Sequence, residues 1–331
     1  MANIVQAIGS MNEFTKLCLQ KCSEIECITD KTTHREDAHR LDELVLEDMG
    51  NLKELHRGPS SFSLFQKLER LSIFSCPQLL NIFPTNCNLG NLKFLSIFDC
   101  PILTSLFPVS ASCTLLSLEE LKIGGCNELK HVLDGDVGGD PWENSRFPKL
   151  KILSIDDCRN LESVCTTFLS LRFVQLQNLS IINAPQMKFV FAGEQLMHDQ
   201  DETQIVLPLL ENLQLICLPS LVRICSEKDR PCCPSIKTIE WRDCPNMELQ
   251  EFKGHQLRKE EDKSLTAIET IELDNCGVES IFHDQIGVEE HIPTFQCLKE
   301  LTLKKCARLK CVFCLYMSKS PRVNYCNHIL C

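Results

Sequence analysis

A repeating α/β solenoid, with a parallel β-sheet on its concave face, is the fold class this 331-residue sequence predicts. Three observations predict it. The same apolar spacing returns eleven times: one residue, others at +3 and +5, a small soft residue at +8, and aliphatics at +11 and +14. The copies begin at Phe14, Leu41, Leu68, Leu92, Leu118, Leu150, Leu176, Leu210, Ile236, Ile268 and Leu298, so subtraction gives steps of 24 to 34 residues. A period of that length marks a repeat architecture before any local reading begins. The +8 slot, finally, holds cysteine in eight copies: Cys22, Cys76, Cys100, Cys126, Cys158, Cys244, Cys276 and Cys306.

Each element of the unit follows from its residues. The step from +3 to +5 is a period of two, so Leu71 and Ile73 share one face of a short strand and Ser72 points to the other. The +8 thiol is small, prefers burial and is a weak donor. Proline often follows it, as Pro77, Pro101, Pro185, Pro219 and Pro245. It ends the strand and turns the chain without orphaning a donor. The residues at +11 and +14 carry the chain back beneath the strand as an irregular or short helical convex side. One unit cannot bury its own apolar face, but stacked units can. At about 4.8 Å per strand, eleven strands make an arc on the order of 50 Å. This is the leucine-rich-repeat horseshoe. Two copies deviate: Gln250 stands at +14 of the ninth, and in the tenth Gly277 follows Cys276 while Val278 and Ile281 come one residue early, as a one-residue deletion would produce.

Composition narrows the partner. Hydrophobic residues make up 44% of the chain, net charge is −11 and pI is near 5.4. That balance argues against nucleic acid and against anionic membranes as partners. No run of 18 apolar residues and no secretory signal is read, and the cysteines fall in slots that demand buried thiols, so a reducing, cytoplasmic location is expected. The sequon Asn178-Leu179-Ser180 lies on an expected strand and is read as no glycan acceptor.

Residues 1–313 are read as one solenoid of about eleven repeats and 314–331 as an atypical C-terminal tail. Polar inserts lengthen several copies after +14: Asp134 to Arg146, Ala192 to Gln204, Glu251 to Ser264 and His283 to His291. They are expected to be loops on one face. Terminal repeats normally carry polar caps, and neither end shows one, which reads as a piece of a longer solenoid or a truncated product.

Copies such as Leu68-Glu69-Arg70-Leu71-Ser72-Ile73-Phe74-Ser75-Cys76-Pro77-Gln78-Leu79, the irregular steps and Phe147-Pro148-Lys149-Leu150 before a strand resemble a known group. They are similar to the repeat region of plant intracellular disease-resistance proteins of the coiled-coil, nucleotide-binding type. The resemblance implies recognition of a pathogen effector or of a host protein that an effector alters. It also implies a nucleotide switch, but no Gly-x-x-x-x-Gly-Lys-Ser/Thr occurs, and Met197-His198-Asp199 lies in an insert, where the family's Met-His-Asp signature does not belong. The switch is therefore not carried over, and no cofactor is expected.

The residue after each +5 aliphatic should face the concave side. That row includes Glu47, Phe74, Phe98, Ile182, Ile216 and Arg242. Exposed aromatics and Arg favour interfaces, so Phe74, Phe98, Ile182, Ile216 and Arg242 are candidate protein-binding anchors. Asp42, Glu43 and Glu47 are candidates for steering a partner by charge. Cys311 and Cys314, with Cys326, His328 and Cys331, have some zinc character, but no second Cys-x-x-Cys pair completes it, and no metal is expected. No nucleophile, metalloprotease or phosphate-loop motif is present, so no enzyme is expected. Two rival functions are a substrate adaptor of a ubiquitin ligase, whose cysteine-type repeats resemble a more regular helical unit, and a non-functional receptor fragment.

Overall fold

The computed structural model describes residues 14–30, 41–57, 66–83, 89–107, 115–133, 147–165, 173–192, 207–225, 233–247, 267–278, 280–282 and 297–313. These contain nineteen strands, numbered in chain order. They are β1 (Lys16–Gln20), β2 (Cys27–Asp30), β3 (Glu43–Glu47), β4 (Glu54–Arg57), β5 (Arg70–Phe74), β6 (Phe94–Phe98), β7 (Glu120–Gly124), β8 (His131–Leu133), β9 (Ile152–Asp156) and β10 (Ser163–Cys165). There follow β11 (Asn178–Ile182), β12 (Phe189–Phe191), β13 (Asn212–Ile216), β14 (Arg223–Cys225), β15 (Thr238–Arg242), β16 (Thr270–Asp274), β17 (Ser280–Phe282), β18 (Glu300–Lys304) and β19 (Cys311–Phe313).

Eleven of them form one parallel sheet in sequence order, β1-β3-β5-β6-β7-β9-β11-β13-β15-β16-β18. Each runs from +2 to +6 of its copy, so the expected strands stand where the spacing puts them. The register is the repeat itself: Leu71 lies against Leu95 and Ile73 against Ile97, and so on along the sheet. The +3 and +5 side chains are buried from Leu44 to Leu273, whereas those at +2, +4 and +6 largely face outward. In the unit of β18, Leu298, Leu301 and Leu303 are only partly buried.

The convex side is irregular, as expected, but its regular pieces among the described residues are short strands and no helix. β8, β10, β12 and β14 pair in parallel, as do β2 with β4 and β17 with β19. After the +8 residue the chain makes a tight turn, with the +11 N–H donating to the +8 carbonyl, as Leu79 does to Cys76 at 3.1 Å. It then continues extended, which lets neighbouring repeats pair a second time.

The cysteines form the expected column. Cys76, Cys100, Cys126, Cys158 and Cys244 are wholly buried and Cys276 nearly so. All eight +8 thiols donate to the +6 carbonyl of their own repeat at 3.3–3.6 Å. Burial pushes the Cys126 thiol up to about 11 and those of Cys158, Cys244 and Cys276 up to about 12, so they remain neutral donors.

Between strand and thiol lies a feature the spacing does not announce. The +7 residue has a left-handed backbone in all eleven repeats: Lys21, Asp48, Ser75, Asp99, Gly125, Asp157, Asn183, Cys217, Asp243, Asn275 and Lys305, with φ from 48° to 63°. Its N–H donates to the +6 carbonyl of the next repeat, as Asp48 does to Phe74 at 3.0 Å and Asp99 to Gly124 at 2.9 Å. Ladder hydrogen bonds so continue through the corner. Gly277 explains the shortened tenth repeat: a Cβ there would stand 2.0 Å from the Pro245 carbonyl oxygen. Val278 is buried, as the one-residue shift requires.

A second column lines the interior. Phe83, Phe107, Phe147, Phe173 and Phe191 follow one another with ring centroids 5.5–6.2 Å apart. They occupy the position after +14 or the position three before a repeat start, and all are buried. Each such contact adds about 0.5–1.5 kcal/mol beyond area burial. The four inserts, Met197-His198-Asp199, Gln250, Cys314 and the tail 314–331 lie outside the described residues, except for Ala192 at the edge of one insert.

Candidate protein-recognition face

The concave face is three rows of outward side chains, at +2, +4 and +6, bounded by the +1 and +7 residues at its two margins. Strand pairing orders the +6 row as Glu47, Phe74, Phe98, Gly124, Asp156, Ile182, Ile216, Arg242. The candidate residues therefore fall into two groups. Glu47, Phe74 and Phe98 are contiguous on β3, β5 and β6. Ile182, Ile216 and Arg242 are contiguous on β11, β13 and β15. Gly124 and Asp156 separate them.

In the first group, Phe74 and Phe98 stack with centroids 5.7 Å apart and planes 6° from parallel, both half-buried. Phe98 leans toward β7, where a Cβ on Gly124 would meet its ring at 2.6 Å. Asp99 leans the same way, its Oδ1 2.5 Å from where a Cβ of Gly125 would stand. The two glycines are thus what lets both side chains lie over β7. On the +2 row the Arg70 guanidinium sits 4.0 Å from the centre of the Phe94 ring. Serines 72 and 96 occupy the low +4 row between.

The acidic candidates are not equivalent. Glu43 is neutralised by Lys16 at 3.0 Å. Asp42 is exposed at the entry margin and Glu47 half-buried at the exit, and neither has a basic partner among the described residues.

The second group sits beside a hydrogen-bonded polar chain. Ser180 Oγ donates to Gln214 Oε1 at 2.6 Å, and Gln214 Nε2 donates to Glu240 Oε2 at 2.8 Å. Arg242 Nη2 bridges Glu240 at 2.8 Å and Glu272 at 3.1 Å, and Lys304 reaches Glu272 at 3.4 Å. Burial alone would raise the Glu272 carboxyl, but hydrogen bonds from Arg242 and Lys304 outweigh it and hold the group below its ordinary value. Arg242, a candidate anchor in the sequence, is thus paired with Glu240 and Glu272 within the sheet. Asn178, of the sequon, accepts a hydrogen bond from Asn212 at 2.7 Å on the same sheet.

Sequence reading missed a row of ion pairs at the entry margin. Glu69–Lys93, Glu119–Lys151, Glu211–Lys237 and Glu269–Lys299 join the +1 residues of adjacent repeats at 2.6–3.0 Å. The alternation of Glu and Lys at +1 was the available signal. Among the described residues no three His, Cys, Asp or Glu side chains are arranged to hold a metal ion, and no helix is long and apolar enough to cross a membrane.

A parallel sheet built one strand per repeat, with a buried thiol column at its exit turn, defines a leucine-rich-repeat solenoid. A family profile described as plant disease resistance protein RPS2-like, leucine-rich repeats, matches residues 2–90 and 127–277. The chain belongs to that family. No curated protein and no solved structure matches it.

Proposed function

We infer that the chain is a protein-recognition module of a plant disease-resistance receptor and reads its partner with the concave face. The partner is a pathogen effector or an altered host protein, met in the cytoplasm. Residues 1–313 act as one solenoid. The observation that carries this reading is the half-exposed Phe74–Phe98 stack, set on a sheet whose +3 and +5 side chains are sealed in the core from Leu44 to Leu273. Large aromatic side chains left on a rigid face favour association, since they contribute contact area at small entropic cost.

A photo-crosslinking residue placed at Ser96, in the middle of β6, tests it in challenged plant cells, with one at Leu80, which is exposed outside the concave sheet, as control. Adducts to a partner protein from Ser96 and none from Leu80 are expected. Adducts only from Leu80, or none from Ser96, would discard the concave-face reading.

A further inference from the structure

The charges around the aromatic stack do not balance, and this points to the partner's chemistry. From the second to the sixth repeat, the +6 and +7 positions hold five carboxylates, Glu47, Asp48, Asp99, Asp156 and Asp157, and no Lys or Arg. Asp157 is met by Arg159 at 3.3 Å. The other four have no basic partner among the described residues. The cations on these strands and just before them are committed elsewhere: Lys122 to Glu120 at 2.6 Å and Arg70 to the Phe94 ring on the strands, Lys93 to Glu69 and Lys151 to Glu119 at the entry margin. Phe74 and Phe98 lie in the middle of this acidic margin, in the same +6 row as Glu47 and Asp156. Beside Phe98, Gly124 and Gly125 carry no side chain, and the Phe98 ring and the Asp99 carboxylate occupy the space over them, so Asp156 is the next side chain of the row after the ring. From β3 to β9 is four strand spacings, about 20 Å, the reach of about six extended residues.

We propose that this margin docks a protein segment carrying one aromatic or large aliphatic side chain flanked by Lys or Arg. The apolar side chain lies against the outer side of the Phe98 ring, which itself covers Gly124. The flanking cations meet Asp99 and Asp156 on one side and Glu47 and Asp48 on the other. Carboxylates without internal partners attract a basic segment at a distance, and the aromatic floor holds it once it arrives. The inference rests on the concave-face reading above and adds the partner's charge and anchor to it.

The test uses the full chain and three labelled synthetic peptides: one with Phe between Lys-Arg pairs, one with Ala in place of that Phe, and one with Phe between Glu pairs. Fluorescence anisotropy should show the basic Phe peptide binding about tenfold more tightly than either other peptide. Raising NaCl from about 50 to about 300 mM should weaken it about fivefold. The double variant Asp99→Asn, Asp156→Asn should remove most of that salt dependence while the melting temperature stays put, because Asn accepts the left-handed conformation of residue 99. Phe74→Ala with Phe98→Ala should abolish the preference for Phe over Ala. Equal binding of the Phe and Ala peptides, salt-independent binding, or insensitivity to the Asn variants would overturn the proposal. So would sedimentation showing a dimer of this chain that Phe74→Ala and Phe98→Ala dissolve. Failure here is separable from failure of the broader reading: a Ser96 adduct whose contact segment is neutral or acidic keeps concave recognition and removes this partner chemistry.

Discussion

The third to fifth repeats and the eighth to eleventh share a backbone and core plan but present opposite kinds of surface. Around β5 to β7 the outward groups are two stacked rings, an Arg-covered ring, the ion pairs of Glu69, Glu119 and Glu120, and Asp99, which has no cation among the described residues. Around β13 to β18, Gln214, Glu240, Arg242, Glu272 and Lys304 hold one another in a continuous chain. A partner landing on the second region must break contacts already made, whereas on the first it covers apolar area and supplies missing counter-charge. The solenoid frame is therefore indifferent to what it displays, and the display alone separates a surface whose charges are largely cross-paired, with Arg242 Nε and Asp274 Oδ1 left unbonded among the described residues, from one that is open to association.

The largest expected effect comes from two glycines. Gly277→Ala drives a Cβ into the Pro245 carbonyl, a backbone obstacle, and should cost about 2–3 kcal/mol in denaturant unfolding. Gly124→Ala crowds the Phe98 ring, a side-chain neighbour, and meets the Asp156 carbonyl oxygen only at an ordinary contact distance of 3.4 Å, so it should cost under about 1 kcal/mol while disturbing the aromatic surface. Equal costs would erase the contrast between a structural and a displayed glycine.

Next comes binding. Phe74→Ala with Phe98→Ala should lower affinity for a partner trapped through Ser96 about tenfold or more. Arg242→Ala should change that affinity less than about twofold, since its guanidinium already spans Glu240 and Glu272. Titration calorimetry with the isolated partner decides it, and the reverse order would make the polar half the recognition surface.

A smaller effect appears with pH, and the first region shares it through Glu119, which the Lys151 hydrogen bond holds below its ordinary value. Glu272 and Glu269 are both held below the ordinary carboxylate value, the latter by the Lys299 hydrogen bond. A depressed folded value means the stabilisation is whole above the unfolded value near 4.5 and fades as pH falls through the folded one. Wild-type stability should thus decline from about pH 5 downward, and Glu272→Gln should make that decline shallower, by under about 1 kcal/mol. An unchanged pH profile would mean that the polar chain contributes nothing to stability.

The smallest effect is shared by both halves and acts as a control. At pH 8 a thiol reagent should label Cys18 and Cys297, which are exposed, before Cys126, Cys158, Cys244 or Cys276. The latter are buried, and values of about 11 to 12 leave almost no thiolate. Rapid labelling of Cys126 in folded protein would contradict a sealed column.

Much of this frame was legible because it repeats within one copy. The +3 and +5 pair fixes a strand and its buried face, and the +8 cysteine fixes the turn, wherever the next copy begins. Leu71, Ile73 and Cys76 could be placed without reference to Leu95, Ile97 and Cys100. What escaped reading depends on contacts between copies. The Phe147–Phe173 stack, the Glu119–Lys151 pair and the Gln214–Glu240 bond join residues 26 to 32 apart, and irregular steps hide that register. The sequence placed Phe74 beside Phe98, but it could not show that Lys16 neutralises Glu43 or that Glu272 occupies Arg242. Short convex strands were missed because Ser163-Val164-Cys165 is too brief to show alternation, and lateral pairing alone makes it β.

The left-handed corner at +7 has a broader consequence. Its amide ties each repeat to the next whatever side chain it bears, and this one chain uses Lys, Asp, Ser, Gly, Asn and Cys there. The rim so formed offers one position per coil where charge runs from Lys to Asp without loss of that amide tie, while size stays limited by the left-handed backbone and, at Gly125, by the neighbouring Asp99.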